Sequence, residues 1–165
     1  MKNRTHKIVV TALLASLVCV ATIVIKVPMP YGYANLGDSI VLLAGWVLSP
    51  LYGFLAAAIG SALADILSGY ALYAPVTFII KGLMAVCAFY IFKWLIGKMG
   101  NLPSRIIGGV VAEIIMAAGY YIFDGILYGF GPAAVSLPAN AAQGIVGLIV
   151  GVMLIKVFEK NKISL

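Results

Sequence analysis

SIVLLAGWVLSPLYGFLAAAIGSALADI, residues 39–66, decides the fold, because it is almost uninterruptedly apolar and reads either as one long helix or as two short ones divided at Ser49-Pro50. Proline has no amide hydrogen and restrains the residue before it, so a boundary there is physically favoured. Charge chooses between the readings. Lys and Arg collect on the cytoplasmic side of membrane helices. Three basic clusters punctuate the chain: Lys2, Arg4 and Lys7; then Lys93, Lys98 and Arg105; then Lys156, Lys160 and Lys162. All three lie on one side only if an even number of crossings separates them, and only the division at Pro50 satisfies that count before Lys93. Working outward from it, the spans fall at about 8–25, 39–48, 51–66, 76–95, 106–128 and 139–157. The expectation is an all-α integral membrane protein, one domain over residues 1–165, a six-transmembrane-helix bundle with both termini cytoplasmic. The second and third spans are shorter than a full crossing and must tilt, thin the bilayer or be shielded by neighbours.

Composition agrees. The 165 residues are 64% hydrophobic and 10% charged, with a mean hydropathy of +1.13, too little polar sequence to cover a soluble globule of this size. The net charge of +6 does not point to nucleic acid, since the basic residues sit at the ends of apolar stretches without interleaved aromatics. The basic Met1–Lys7 segment before an apolar run imitates a signal peptide. No small-x-small cleavage site follows, and Val18 before Cys19 does not suit a lipoprotein signal, so the segment is read as a true helix. Cys19 and Cys87 lie within apolar stretches and read as inert thiols. His6 is the only histidine, no GxxxxGK[ST] loop occurs and no Ser, His and Asp set can be assembled, so no catalytic residue, metal site or cofactor is expected in this chain.

Ionisable groups inside membrane segments are costly and mark functional sites. Asp65, Lys81, Glu113, Asp124 and the pair Asn140 with Gln143 stand out. On the expected topology all but Glu113 belong to the outer half. Glu113, Tyr120 and Asp124 share one face of a helix by their spacing, as do Asn140 and Gln143. The loops add Tyr31, Tyr33, Asn35 and Asp38 after the first span, and Tyr70 and Tyr73 between the third and fourth. Together these outline an aromatic-walled pocket with a cation, carboxylates and amides, suited to a flat polar heterocycle. Each element has a plainer reading. The tyrosines read equally as an interfacial belt, and Asp38 and Asp65 as helix caps, with the cap favoured for Asp38. Lys81 with Glu113 reads as a structural ion pair or an ion relay, although helical rise separates their depths by about 9 Å.

The stretch Tyr33-Ala-Asn-Leu-Gly-Asp38, with PLYGF from Pro50, GSALAD from Gly60 and APVTFIIKG from Ala74, resembles the S components of the energy-coupling factor (ECF) transporters, in the branch containing riboflavin, pyridoxine and hydroxymethylpyrimidine subunits. The resemblance covers the whole chain. It implies a vitamin-binding subunit of the cell membrane that docks on a transmembrane coupling protein (EcfT-type) carrying two ATPases, which hydrolyse the ATP. The family's AxxxA docking surface on the first helix maps onto Ala12 and Ser16, with Ser in place of the expected Ala. Its ligand residues map onto Lys81, Asp124, Asn140 and Gln143. The expected substrate is a small B-vitamin or precursor, pyridoxine-type or hydroxymethylpyrimidine ahead of riboflavin. The rival readings are an ion-coupled carrier acting alone, using Glu113 and Lys81, and a membrane assembly factor without a ligand.

Overall fold

Residues 39–66 fold as two helices. The structure, a computed structural model, describes residues 4–161, so Lys2 and Lys162 of the terminal basic clusters lie outside it. Helix α2, Gly37–Val47, stops where Leu48 turns to extended backbone, and α3, Pro50–Leu67, carries its proline in the first turn, where an amide hydrogen is not needed. Before them stand α1, Arg4–Val24, and two short strands, β1, Lys26–Pro28, and β2, Tyr33–Asn35. After them come α4, Ala74–Met99, α5, Asn101–Tyr128, the single turn α6, Phe130–Ala133, a 3-10 turn at Ala134–Ser136, and α7, Leu137–Lys160.

Two elements depart from the sequence reading. The segment after α1 was expected as a plain loop but forms an antiparallel hairpin in the register Lys26↔Asn35, Val27↔Ala34, Pro28↔Tyr33. Gly32 makes the turn with φ of 74°, a conformation that costs glycine little. Helices α4 and α5 also run past the apolar spans, meeting at Gly100 with φ of 79°. Hydropathy reports the hydrocarbon layer, whereas helices continue through Lys98, Asn101 and Arg105 at its edge.

Among the described residues five helices are long and apolar enough to cross a membrane. Helix α2 is not, at eleven residues or about 16 Å. Beyond its first turn, which carries Asp38 and Ser39, it is apolar on every side, and nine of its residues are buried, as expected for a helix packed all round. It touches α1, α3, α4, α5 and α7. The core gathers about it: Leu14 and Val18 from α1, Val41, Leu42 and Leu43 from α2, Met84 from α4 and Met116 from α5 are all nearly or wholly inaccessible. The outward faces carry large apolar side chains such as Ile8, Leu17, Ile79, Leu83, Ile145 and Ile149, the surface that lipid rather than water suits. At the other end from the hairpin, the Arg105 guanidinium donates to Glu159 at 2.7 Å and ties the start of α5 to the end of α7.

Candidate functional site

The hairpin lies over one end of the bundle and is fastened on three sides. The Tyr33 hydroxyl donates to Asp65 Oδ1 of α3 at 2.6 Å, and its ring lies 4.9 Å from that of Tyr70. Tyr31 stacks on Tyr128 at the end of α5, centroids 4.5 Å apart and planes 18° from parallel. The Asn35 backbone N–H donates to Gln143 Oε1 of α7 at 2.8 Å, while the Asn35 carboxamide oxygen accepts the Gly37 N–H at 2.9 Å and starts α2. Burial, and then the Asp65 carboxylate beside it, holds the Tyr33 phenol well above its ordinary range. Tyr33→Phe keeps the ring but removes the hydrogen bond to the Asp65 carboxylate, whose other oxygen already has no partner among the described residues. The expected result is a hairpin about 1 kcal/mol easier to open, read as faster amide exchange at residues 26–35 with the α5 core unchanged.

Beneath the hairpin is a cavity of about 30 Å³. Ten of the residues singled out from sequence line it: Tyr31, Tyr33, Asn35, Asp65, Tyr70, Tyr73, Tyr120, Asp124, Asn140 and Gln143. The Tyr73 hydroxyl, just ahead of α4, donates to Asp124 Oδ1 at 2.8 Å. Its phenol too is held above the ordinary range, by burial first and by Asp124 next. Thr77 and Tyr120 share a hydrogen bond of 3.0 Å. Met29, Gly32 and Thr77 complete the lining. Of these, Thr77 was legible, since Tyr73, Thr77 and Lys81 recur every fourth residue on one face of α4. Met29 and Gly32 come in with the unforeseen hairpin.

Lys81 and Glu113 do not line the cavity. Lys81, 2% exposed, pairs with Asp38, which is wholly buried. This corrects two expectations. Asp38 does not cap α2, whose first turn is roofed by the hairpin and whose N-cap position is Leu36. The partner of Lys81 is Asp38 rather than Glu113, because α2 brings Asp38 against α4 at the level of Lys81. Gln143 Nε2 donates to the other Asp38 oxygen at 2.5 Å. Lys81 also lies 5.5 Å from the Tyr120 ring centroid, so the cation meets both a carboxylate and an aromatic face. Glu113 is 8% exposed, and neither of its carboxyl oxygens has a hydrogen-bond partner among the described residues. A β-carbon at Gly147 would come within 2.9 Å of Asp38 Cβ and 3.3 Å of Glu113 Oε1, so glycine is what lets α7 close over both acids.

On the far side of α1, an apolar groove of about 540 Å³ runs between α1 and α3, lined by Ala12, Ala15, Ser16, Tyr52, Ile59 and Leu63 among others. The Ser16 hydroxyl turns back to the Ala12 carbonyl at 2.9 Å, satisfying itself within the helix.

The family model for the "ECF-type riboflavin transporter, S component" matches residues 2–160. The chain belongs to this S component family. A Pyrococcus woesei chain named "Uncharacterized protein in gap 3'region" is 35% identical to it over 136 residues, 81% of this chain and 88% of that one. A solved structure, described as "Structure and mechanism of the S component of a bacterial ECF transporter", superposes with a TM-score of 0.79 at 23% identity, over 98% of this chain and 99% of the other. At that identity it speaks for the fold. The family is one of transporter subunits and not of enzymes, so this S component is a substrate-binding subunit of an ECF transporter and a multi-helix membrane protein.

Proposed function

We propose that this S component captures a small, flat, water-soluble vitamin at the outer face of the plasma membrane and hands it inward with a partner module. The observation that carries the reading is the cavity under the hairpin, where tyrosine rings, two carboxylates and three side-chain amides line one small space. Rings of a ligand would stack on the tyrosines while the amides and carboxylates pair with its ring nitrogens and hydroxyls. In this reading the chain is a single domain of six crossings, α2 being the short one, with both ends cytoplasmic. The groove beside Ala12 and Ser16 receives the coupling protein, and the two ATPases bound to that protein supply the energy.

A single-ring ligand, pyridoxine-type or hydroxymethylpyrimidine, is put first because a space of about 30 Å³ admits little more than one or two waters, and a small ring demands the smaller opening. Riboflavin is the second reading, favoured by the name of the matching family.

Thermal unfolding of the protein in detergent against pyridoxine, hydroxymethylpyrimidine, thiamin, riboflavin and pantothenate separates these. A ligand at 100 times its dissociation constant should stabilise by about 2.7 kcal/mol. A single-ring hit, reduced by Asn140→Ala, supports the first reading. A riboflavin hit alone replaces it with the second. No stabilisation across the panel removes the cavity from consideration as a vitamin site.

A further inference from the structure

Gln143 stands between the cavity and the buried ion pair, and its amide has only one acceptable orientation. Its Nε2 donates to Asp38 Oδ2 at 2.5 Å, and Asp38 Oδ1 accepts from Lys81. A carboxylate engaged by a lysine ammonium accepts hydrogen bonds and donates none, so the nitrogen end of Gln143 must face it. The oxygen end therefore faces the other way, where it accepts the Asn35 N–H at 2.8 Å. Asp38 and Lys81 are 0% and 2% exposed, so this orientation is set from beneath the cavity by groups a solute does not reach.

Asn35 belongs to β2 of the hairpin, and a space of about 30 Å³ cannot hold even a small ring. Where an admitted ring displaces the hairpin, the Asn35 N–H is withdrawn from Gln143 with it. The Gln143 oxygen then needs a new donor, because a buried acceptor left alone is strongly unfavourable.

We infer that Gln143, oriented by the Asp38–Lys81 pair, selects ligands that bring a nitrogen-borne hydrogen-bond donor, a ring N–H or an amino group, to the edge that meets its Oε1. Asp38 and Lys81 are positioning residues for that selection. The inference rests on the vitamin-binding reading above and names the chemistry the site recognises.

The test compares each donor-bearing compound with its blocked counterpart by calorimetric titration of the intact protein: riboflavin with N3-methylriboflavin, and hydroxymethylpyrimidine with its dimethylamino analogue. Whichever parent binds, its blocked form should bind about 10- to 100-fold more weakly. In the double variant Asp38→Leu with Lys81→Met, apolar side chains of similar volume replace the pair, a change that buried pairs tolerate. The Gln143 amide can then turn, and the two affinities should draw together. Equal binding of parent and blocked forms to the natural protein overturns the inference while the vitamin-binding reading stands. Discrimination undiminished in the double variant overturns the orienting role and leaves bulk as the cause. Binding of none of the four compounds overturns the inference, and the five-vitamin panel above decides separately whether the vitamin-binding reading stands. The comparison on the natural protein needs no variant, so it decides the donor requirement even if the double variant fails to fold.

Discussion

Asp38→Ala is expected to destabilise the detergent-solubilised protein by about 3–5 kcal/mol, whereas Asp38→Leu combined with Lys81→Met costs far less. Lys81 is 2% exposed and its ammonium meets Asp38 and the face of Tyr120. Removing the carboxylate leaves a buried positive charge with only the face of Tyr120 and the neighbouring Glu113 carboxyl group to answer it. It also strips Gln143 Nε2 of its oxygen acceptor. Removing both charges leaves a gap that apolar atoms can fill, and the desolvation cost of the pair disappears with its attraction. The check is a double-mutant cycle on unfolding in detergent with Asp38→Leu, Lys81→Met and the pair of changes together. If the single losses simply add, the two side chains are not coupled, and the layer beneath the cavity is held by something else.

Gly60→Val is expected to cost about 3 kcal/mol and to push α1 away from α3. A β-carbon at Gly60 would lie 2.3 Å from the Ala15 carbonyl oxygen and 2.8 Å from Val18 Cβ. The first is backbone and cannot rotate aside, so the two helices must separate. Close approach through small residues is how membrane helices gain packing without a hydrophobic driving force between them. Gly97→Ala is the control, because nothing lies within 4 Å of a β-carbon there. A Gly60→Val protein that melts like the Gly97→Ala protein shows that α1 can shift without penalty. In that case the groove lined by Ala12 and Ser16 is a soft surface rather than a shaped one.

Much of the site was legible because polar residues are so scarce here. Asn140 and Gln143 stand out against the apolar helix that carries them, and helical spacing places Tyr120 and Asp124 on one face. Thr77 was within reach of the same rule. What spacing does not convey is which polar group answers which. Asp38 looked like an ordinary helix start because nothing in its neighbours along the chain reveals that a hairpin roofs it or that Lys81, forty-three residues later, arrives beside it. The hairpin was hidden for a related reason: strands of three residues carry too little periodicity to be read.

By itself, then, the sequence determined the helical class of this protein, the division at Pro50 and the set of polar side chains that must be accommodated among the helices, because burying apolar sequence and ending helices at proline are local matters. Only the tertiary structure decided the partners: Asp38 for Lys81, Gln143 for Asp38 and Asn35 together, and the two tyrosine–aspartate bonds under the hairpin. A buried polar group must be satisfied by whatever the packing brings within about 3 Å, and in this bundle that is set by how closely the glycine-bearing helices approach, not by order along the chain.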